Sequence, residues 1–301
     1  MTPQGTTLVT GASGFLGSRV VRRLIDCNIK VVGVDNKPSP DASFPFFECD
    51  ISNKQQVHTR LSHISADVLI HLAAIHFIPE CEANPQLTYE TNVIGTRNML
   101  EYSARTGVST FTFASSADVY QPSVFEHTED DALSSPSVYG RSKIAAEALV
   151  REWHRLQPGR TANILRLFNL VGRDDPVDHL IPSLVKKMYN TQNIYVGNFS
   201  SQRDYVLVDD VADLMLRTTT DGEIRILNVG NGVGYSGFEV FNEVSNQIGG
   251  PHFAVVSAEL TRSMDRPRLV ANRGRLDLYD SAFPRRNLSE MLSLVLNDGL
   301  S

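Results

Sequence analysis

The chain has 301 residues, 42% hydrophobic and 21% charged, with a formal net charge of −6. That length holds one large α/β domain or a domain with a smaller lobe, and the composition is that of a soluble globular protein. The acidic balance argues against nucleic acid or an anionic membrane as a general partner. The opening "MTPQGTTLVTGASG" has no charged n-region and no long apolar stretch, so no export signal is expected, and no run approaches the length that spans a bilayer. Three cysteines, Cys27, Cys49 and Cys81, lack a metal-ligand spacing. They read as reduced packing residues of a cytoplasmic protein that holds no metal.

The first element, "TTLVT", is a β-branched run, and "FLGSRVVRRLI" continues as an amphipathic helix. Between them Gly11, Gly14 and Gly17 are spaced G-x-x-G-x-x-G. Glycines at such a turn let the backbone approach a pyrophosphate and let helix pack closely on strand, while the helix N-terminus offers free N–H groups. A second strand, "KVVGVD", ends in Asp35, 18 residues past Gly17. A carboxylate there can accept hydrogen bonds from the ribose hydroxyls of adenosine and repels a 2′-phosphate, so NAD is expected rather than NADP.

Further on, "DVLIHLAAI" reads as a buried strand, "PQLTYETNVIGTRNMLEYSART" as one helix, and "STFTFASSADVY" and "RTANILRLFNLVG" as two more strands. Buried apolar strands alternating with helices imply a doubly wound parallel sheet, the α/β Rossmann class, whose ligands lie at strand ends. In "SPSVYGRSKIAAEAL" a phenol and an ammonium, Tyr139 and Lys143, sit four residues apart and share a helix face. Alone, that pair is common on protein surfaces.

Taken in order, "TGASGFLG", Asp35, "CDI", "HLAA", "NVIGT", "SSADVY", Y-x-x-x-K and "RLFN" resemble the extended short-chain dehydrogenase/reductases, in particular the NAD-dependent nucleotide-sugar epimerase/dehydratase family. "RDYVLVDDVADLML" and "LNVGNG" extend the resemblance over almost the whole chain. It implies that Tyr139 is the catalytic acid/base, that Lys143 holds the nicotinamide ribose and lowers the tyrosine pKa, and that Ser116 hydrogen-bonds the same sugar hydroxyl. It implies cofactor contacts at Gly11, Ser13, Gly14, Phe15, Leu16, Gly17, Asp35 and Asn36. Asp50 and Ile51 should lie against the adenine, Leu72, Ala73 and Ala74 along the cofactor, and Asn92, Ser115 and Phe168 around the same site.

After Gly172 the alternation loosens. The resemblance divides the chain into a cofactor domain over 1–172, to which 205–229 returns, and a smaller substrate-binding lobe mainly over 173–301. It implies a nucleotide-diphosphate sugar held by His76, Ser116, Asn169, His179, Leu180, Tyr195, Arg203, Arg262, Asp265 and Leu269, the arginines through charge and bidentate geometry. Leu269, smaller than a tyrosine, would leave room for a 2-acetamido group, or is a packed strand residue. His179 stands where many relatives have asparagine, and Gln121 replaces a glycine after "VY".

The expected reaction is 4-epimerisation through a transient 4-keto sugar. A 4,6-dehydratase would want an Asp-Glu pair where this chain has Ala117-Asp118, a uronic acid decarboxylase a glutamate at 118, and a 4-ketoreductase NADPH. A dinucleotide-sensing protein on the same fold is the non-enzymatic alternative. A homodimer is expected, through the helix after residue 84 and the helix that carries Tyr139.

Overall fold

The computed structural model describes residues 5–39, 43–197, 199–218, 220–257, 260 and 266–296. In chain order its strands are β1 Thr6–Thr10, β2 Lys30–Asp35, β3 Phe46–Glu48, β4 Val68–His71, β5 Thr110–Ser116, β6 Thr161–Leu167 and β7 Asn169–Val171. They continue as β8 Asn193–Val196, β9 Gln202–Leu207, β10 Ile224–Val229, β11 Gly234–Ser236, β12 Phe253–Val256 and β13 Arg268–Leu269.

Seven strands form one sheet in the order β10-β6-β5-β4-β1-β2-β3. The pairs from β6 across to β3 are parallel. Every residue of β4 and β5 is buried, as a strand with helices on both faces requires. Leu8, Leu69, Phe111 and Ile164 of the sheet pack with Met99, Val150 and Trp153 of the helices Thr96–Thr106 and Val138–Arg155. The chain leaves β1 outward to β2 and β3, then crosses back to β4. Strand order therefore reverses between β1 and β4, and a ligand crevice is expected beyond their carboxyl ends.

The region 85–106 is not one regular helix. It runs as Pro85–Tyr89, a wider π-helical stretch Glu90–Gly95, and Thr96–Thr106. Asn92 is buried within this wide turn, and such insertions often mark working sites.

The chain divides into two compact units. One comprises 1–120, 132–167 and 209–227; the other 121–131, 168–208 and 228–301. The stretch 121–131, expected within the cofactor domain, clusters with the second unit, where the Asn228 N–H donates to Glu129 Oε1 at 2.8 Å. In that unit β9 carries β7, β11 and β13, while β8 and β12 pair in parallel. Ile181, Leu184, Val240, Phe241, Val244, Met291 and Leu292 form its core. Asp204 is fully buried there and accepts the N–H groups of Asn231, Gly232 and Ala271 at 2.8, 2.8 and 3.1 Å. Burial pushes its pKa up to about 6, against those three bonds. Among the described residues no helix is long and apolar enough to cross a membrane.

Candidate active site

The turn after β1 is built for close approach. Gly11 has φ +70°, a region open to glycine, and a Cβ on it would lie 2.7 Å from the Ala73 nitrogen. A Cβ on Gly17 would lie 1.9 Å from the Gly11 carbonyl oxygen, so the helix Phe15–Asp26 starts directly against the turn. Its N-cap is Gly14, which brings no side chain across the first N–H groups. At the end of β2 the Asp35 carboxylate accepts Ser13 N–H at 3.0 Å and Lys37 N–H at 3.1 Å, one on each oxygen. Both oxygens keep lone pairs for further donors. Helix terminus, tight glycine turn and anchored carboxylate fit the pyrophosphate and adenosine ribose of NAD, and the negative charge opposes a 2′-phosphate. Asp50 is half-buried, with Oδ1 accepting both Ser52 N–H and Ser52 Oγ–H; Ile51 is buried in the core.

The loop after β4 is held from two sides. Leu72 N–H and Ala73 N–H reach Thr10 Oγ1 at 3.2 and 3.3 Å, and Thr10 Oγ1 lies 2.7 Å from His71 Nδ1. His71 Nε2 is 3.0 Å from Thr96 Oγ1, which donates to the Asn92 carbonyl at 2.6 Å. These bonds are satisfied together when His71 is neutral with its proton on Nε2. Burial, aided by the charge of Lys143, pushes its pKa down to about 3. The Asn92 side chain takes Ile75 N–H and gives to Ile75 O and to Ser142 Oγ, each at 2.9 Å. Ser142 Oγ in turn donates to Tyr139 O at 2.7 Å. Asn92 thus ties the loop of Leu72, Ala73 and Ala74 to the helix bearing Tyr139.

That helix begins at Val138 with Ser137 as its N-cap, whose hydroxyl accepts Gly140 N–H at 2.8 Å. Tyr139 and Lys143 share a face, and Lys143 Nζ lies 5.9 Å from the Tyr139 ring centre and 4.8 Å from that of Phe113. The ammonium donates to Ala114 O at 2.8 Å, and burial lowers its pKa to about 8 against the raising charge of Glu147. Tyr139 hydrogen-bonds Ser116. The expectation that the Tyr139 pKa is lowered by Lys143 is corrected here. Burial outweighs the Ser116 hydrogen bond and raises the Tyr139 pKa well above the ordinary phenol range, because removal from water penalises the anion.

Ser115, placed near the cofactor by sequence, gives its hydroxyl to Glu147 Oε1 at 2.6 Å. Asp118 is buried, and its Oδ2 accepts the hydroxyls of Ser135, at 3.2 Å, and Ser137. Sequence reasoning missed Glu147, Arg166 and the serines 135 and 137. Glu147 alone carried a signal, four residues beyond Lys143 on the same helix face. His76 is exposed.

In the second unit, Asn169 starts β7 in register with Tyr205 of β9, where Arg203 also lies. Arg203 Nη1 donates to Gln202 O and Arg266 O at 2.9 and 2.8 Å. Leu269 is buried and pairs with Arg203 across β13 and β9. His179 is exposed, with Nδ1 2.8 Å from Asp175 Oδ2; Leu180 opens the helix Leu180–Met188, Tyr195 is 60% exposed on β8, and Phe168 is buried. Arg262 and Asp265 lie outside the described residues.

A family model described as the NAD dependent epimerase/dehydratase family matches residues 7–230. A UDP-glucose 4-epimerase of Halalkalibacterium halodurans is 30% identical over 291 residues, covering 88% of this chain and 86% of that protein. Among solved structures, the UDP-glucose 4-epimerase of Thermotoga maritima with UDP-glucose superposes with a TM-score of 0.87 at 26% identity, over 96% of this chain and 97% of that one. MoeE5 in complex with UDP-glucuronic acid and NAD gives a TM-score of 0.86 at 25% identity, over 97% of each chain.

Proposed function

Because the chain belongs to the NAD-dependent epimerase/dehydratase family, we propose that it inverts C4 of a nucleotide-diphosphate hexose, with UDP as the nucleotide carrier. The observation that carries this reading is the constellation at the end of β5: Ser116 bonded to Tyr139, Lys143 one helical turn on, and Asp118 engaged by two serine hydroxyls.

Bound NAD supplies a hydride acceptor that can also return the hydride. Burial disfavours the Tyr139 phenolate, so Ser116, Lys143 and the positive nicotinamide ring of NAD would together have to favour it. In that form Tyr139 would take the proton of the C4 hydroxyl as that carbon is oxidised and give it back when the ketone is reduced from the other face. Ser116 orients the hydroxyl and stabilises the phenolate, and Lys143 adds the positive charge that a phenolate needs in a site with little water. Elimination of water would require further acid and base groups. Position 117 is alanine, and the Asp118 carboxylate is turned onto Ser135 and Ser137, which supports epimerisation over dehydration. Asn169 and Arg203 are the candidate diphosphate contacts, and Leu269 the candidate neighbour of sugar C2.

A homodimer fits the same reading. The helices Pro85–Tyr89 and Val138–Arg155 leave apolar residues accessible, Leu87 at 47% and Tyr89 at 37% exposed, with Ile144 and Leu149 half-buried. Incubation with UDP-, dTDP-, GDP- and CDP-hexoses, with products identified by NMR, tests the function. C4 epimers of a UDP-sugar are expected. A 4-keto-6-deoxy sugar or loss of carbon dioxide from a uronic acid would overturn it.

A further inference from the structure

Three consecutive residues of β5 each meet a functional position on the helix Val138–Arg155. Ala114 O accepts Lys143 Nζ, Ser115 Oγ donates to Glu147, and Ser116 bonds Tyr139. The middle contact belongs to a larger buried cluster. Glu147 and Arg166 are each 1% exposed and form a two-pronged ion pair, Nε to Oε1 at 2.9 Å and Nη2 to Oε2 at 2.8 Å. Arg166 Nη1 donates to Tyr120 Oη at 2.9 Å, and the guanidinium lies over the Tyr120 ring at 4.9 Å. Ser115 and Arg166 are register partners on β5 and β6, so the sheet itself fixes both groups that grip the carboxylate. Arg151 adds a more distant contact at 3.5 Å.

A buried ion pair of this kind is poor value for stability alone, because two desolvated charges can often be replaced by packed apolar residues without loss. Its place beside Lys143 supplies a reason for it. We infer that Glu147 is a positioning residue that acts through Lys143, as the buried counter-charge held in place by Arg166 and Ser115, and keeps that lysine charged in the working enzyme. The inference rests on Tyr139 and Lys143 being the acid/base pair. The groups facing Lys143 are Tyr139 and Glu147 on its own helix, His71 on β4, Cys81 on the helix Ile78–Ala83, and Phe113 on β5. His71 is held neutral and the Cys81 thiol is pushed up by burial, whereas Glu147 is the carboxylate among them and is gripped by a guanidinium and a hydroxyl. Burial works against the Arg166 charge, yet its bonds and charge pairing with Glu147 hold it above the ordinary guanidinium range. If Glu147 were neutral, Arg166 would stand as an unbalanced cation near Lys143.

The test compares the pH dependence of kcat for the unmodified enzyme, Glu147→Gln and Glu147→Gln/Arg166→Met. Loss of the counter-charge makes Lys143 release its proton earlier, so in Glu147→Gln the alkaline limb moves down by about one pH unit, a tenfold loss along that limb. KM for the sugar nucleotide stays within about twofold, on the order of a few tenths of a kcal/mol in binding. The double variant removes the unbalanced cation with little change in shape. Its limb lies between the other two, and it serves alone if Glu147→Gln does not fold. A purely structural role would lower melting temperature and kcat without moving the limb. A limb that coincides with the unmodified enzyme in every folded variant would overturn the proposal. Full activity in Tyr139→Phe would instead overturn the acid/base reading beneath it.

Discussion

Asn92 and Ile75 exchange two hydrogen bonds of 2.9 Å, the Asn92 side-chain carbonyl taking the Ile75 N–H and its amide giving to the Ile75 carbonyl. Asn92 mimics a strand partner for a loop that has left its sheet. Asn92→Leu strands both Ile75 groups and frees the loop beside the glycine turn. A stability loss of about 1–3 kcal/mol is expected, together with weaker NAD binding. Urea unfolding and calorimetric titration with NAD measure the two effects, and unchanged NAD affinity would show that the link does not serve the cofactor site.

Tyr139→Phe keeps the ring and removes the oxygen proposed to carry the proton. kcat should fall by 10²–10⁴-fold, the usual contribution of a general acid/base, with NAD and sugar-nucleotide affinity nearly intact. Steady-state rates beside equilibrium binding separate the two. A loss below about tenfold would exclude Tyr139 as the proton carrier.

Asp35 both holds the glycine turn through Ser13 N–H and carries the charge that opposes a 2′-phosphate. Asp35→Ala should weaken NAD and narrow the preference for NAD over NADP. Competition binding of the two cofactors reads both effects. A preference for NADP in the unmodified protein would refute the cofactor assignment.

Asp204 gives a pH signature in stability. Its pKa is raised from 3.8 unfolded to about 6 folded, chiefly by burial. The folded state therefore binds more protons between those values. The associated stability is fully present below about pH 4 and is lost as pH rises through 6, a change of roughly 3 kcal/mol. Asp204→Asn does not titrate, so the stability difference between variant and parent should shift in favour of the variant from pH 4 to pH 7. A difference independent of pH would contradict the assignment.

The accessible apolar residues Leu87, Tyr89 and Ile144 predict a dimer mass by light scattering at micromolar concentration. Leu87→Asp combined with Ile144→Asp should halve that mass and leave the fold intact by circular dichroism. A monomer in the unmodified protein would rule out the proposed dimer.

The features legible in the sequence are those set by near neighbours. Glycine spacing fixes a turn through backbone sterics, apolar runs declare buried parallel strands, and a four-residue interval on a helix puts Tyr139 and Lys143 on one face before anything packs. Hence β1, the glycine turn, the helix Phe15–Asp26, and Asp35 at the end of β2 follow from the chain alone, as does the family resemblance.

Other features wait on which distant segments become neighbours. Nothing local to Asp118 announces Ser135 and Ser137, which the fold brings onto its carboxylate, and the Ser115 hydroxyl finds Glu147, 32 residues further along the chain. Glu147 itself, on a helix rich in alanine, showed no sign of the guanidinium on β6 that grips it. The residue in the wide turn, Asn92, finds its partner in Ile75, 17 residues earlier in the chain. Proton affinity belongs to the same class. Sequence places a cation near Tyr139, but the tertiary structure decides how much water remains around the phenol, and there desolvation outweighs the hydrogen bond from Ser116.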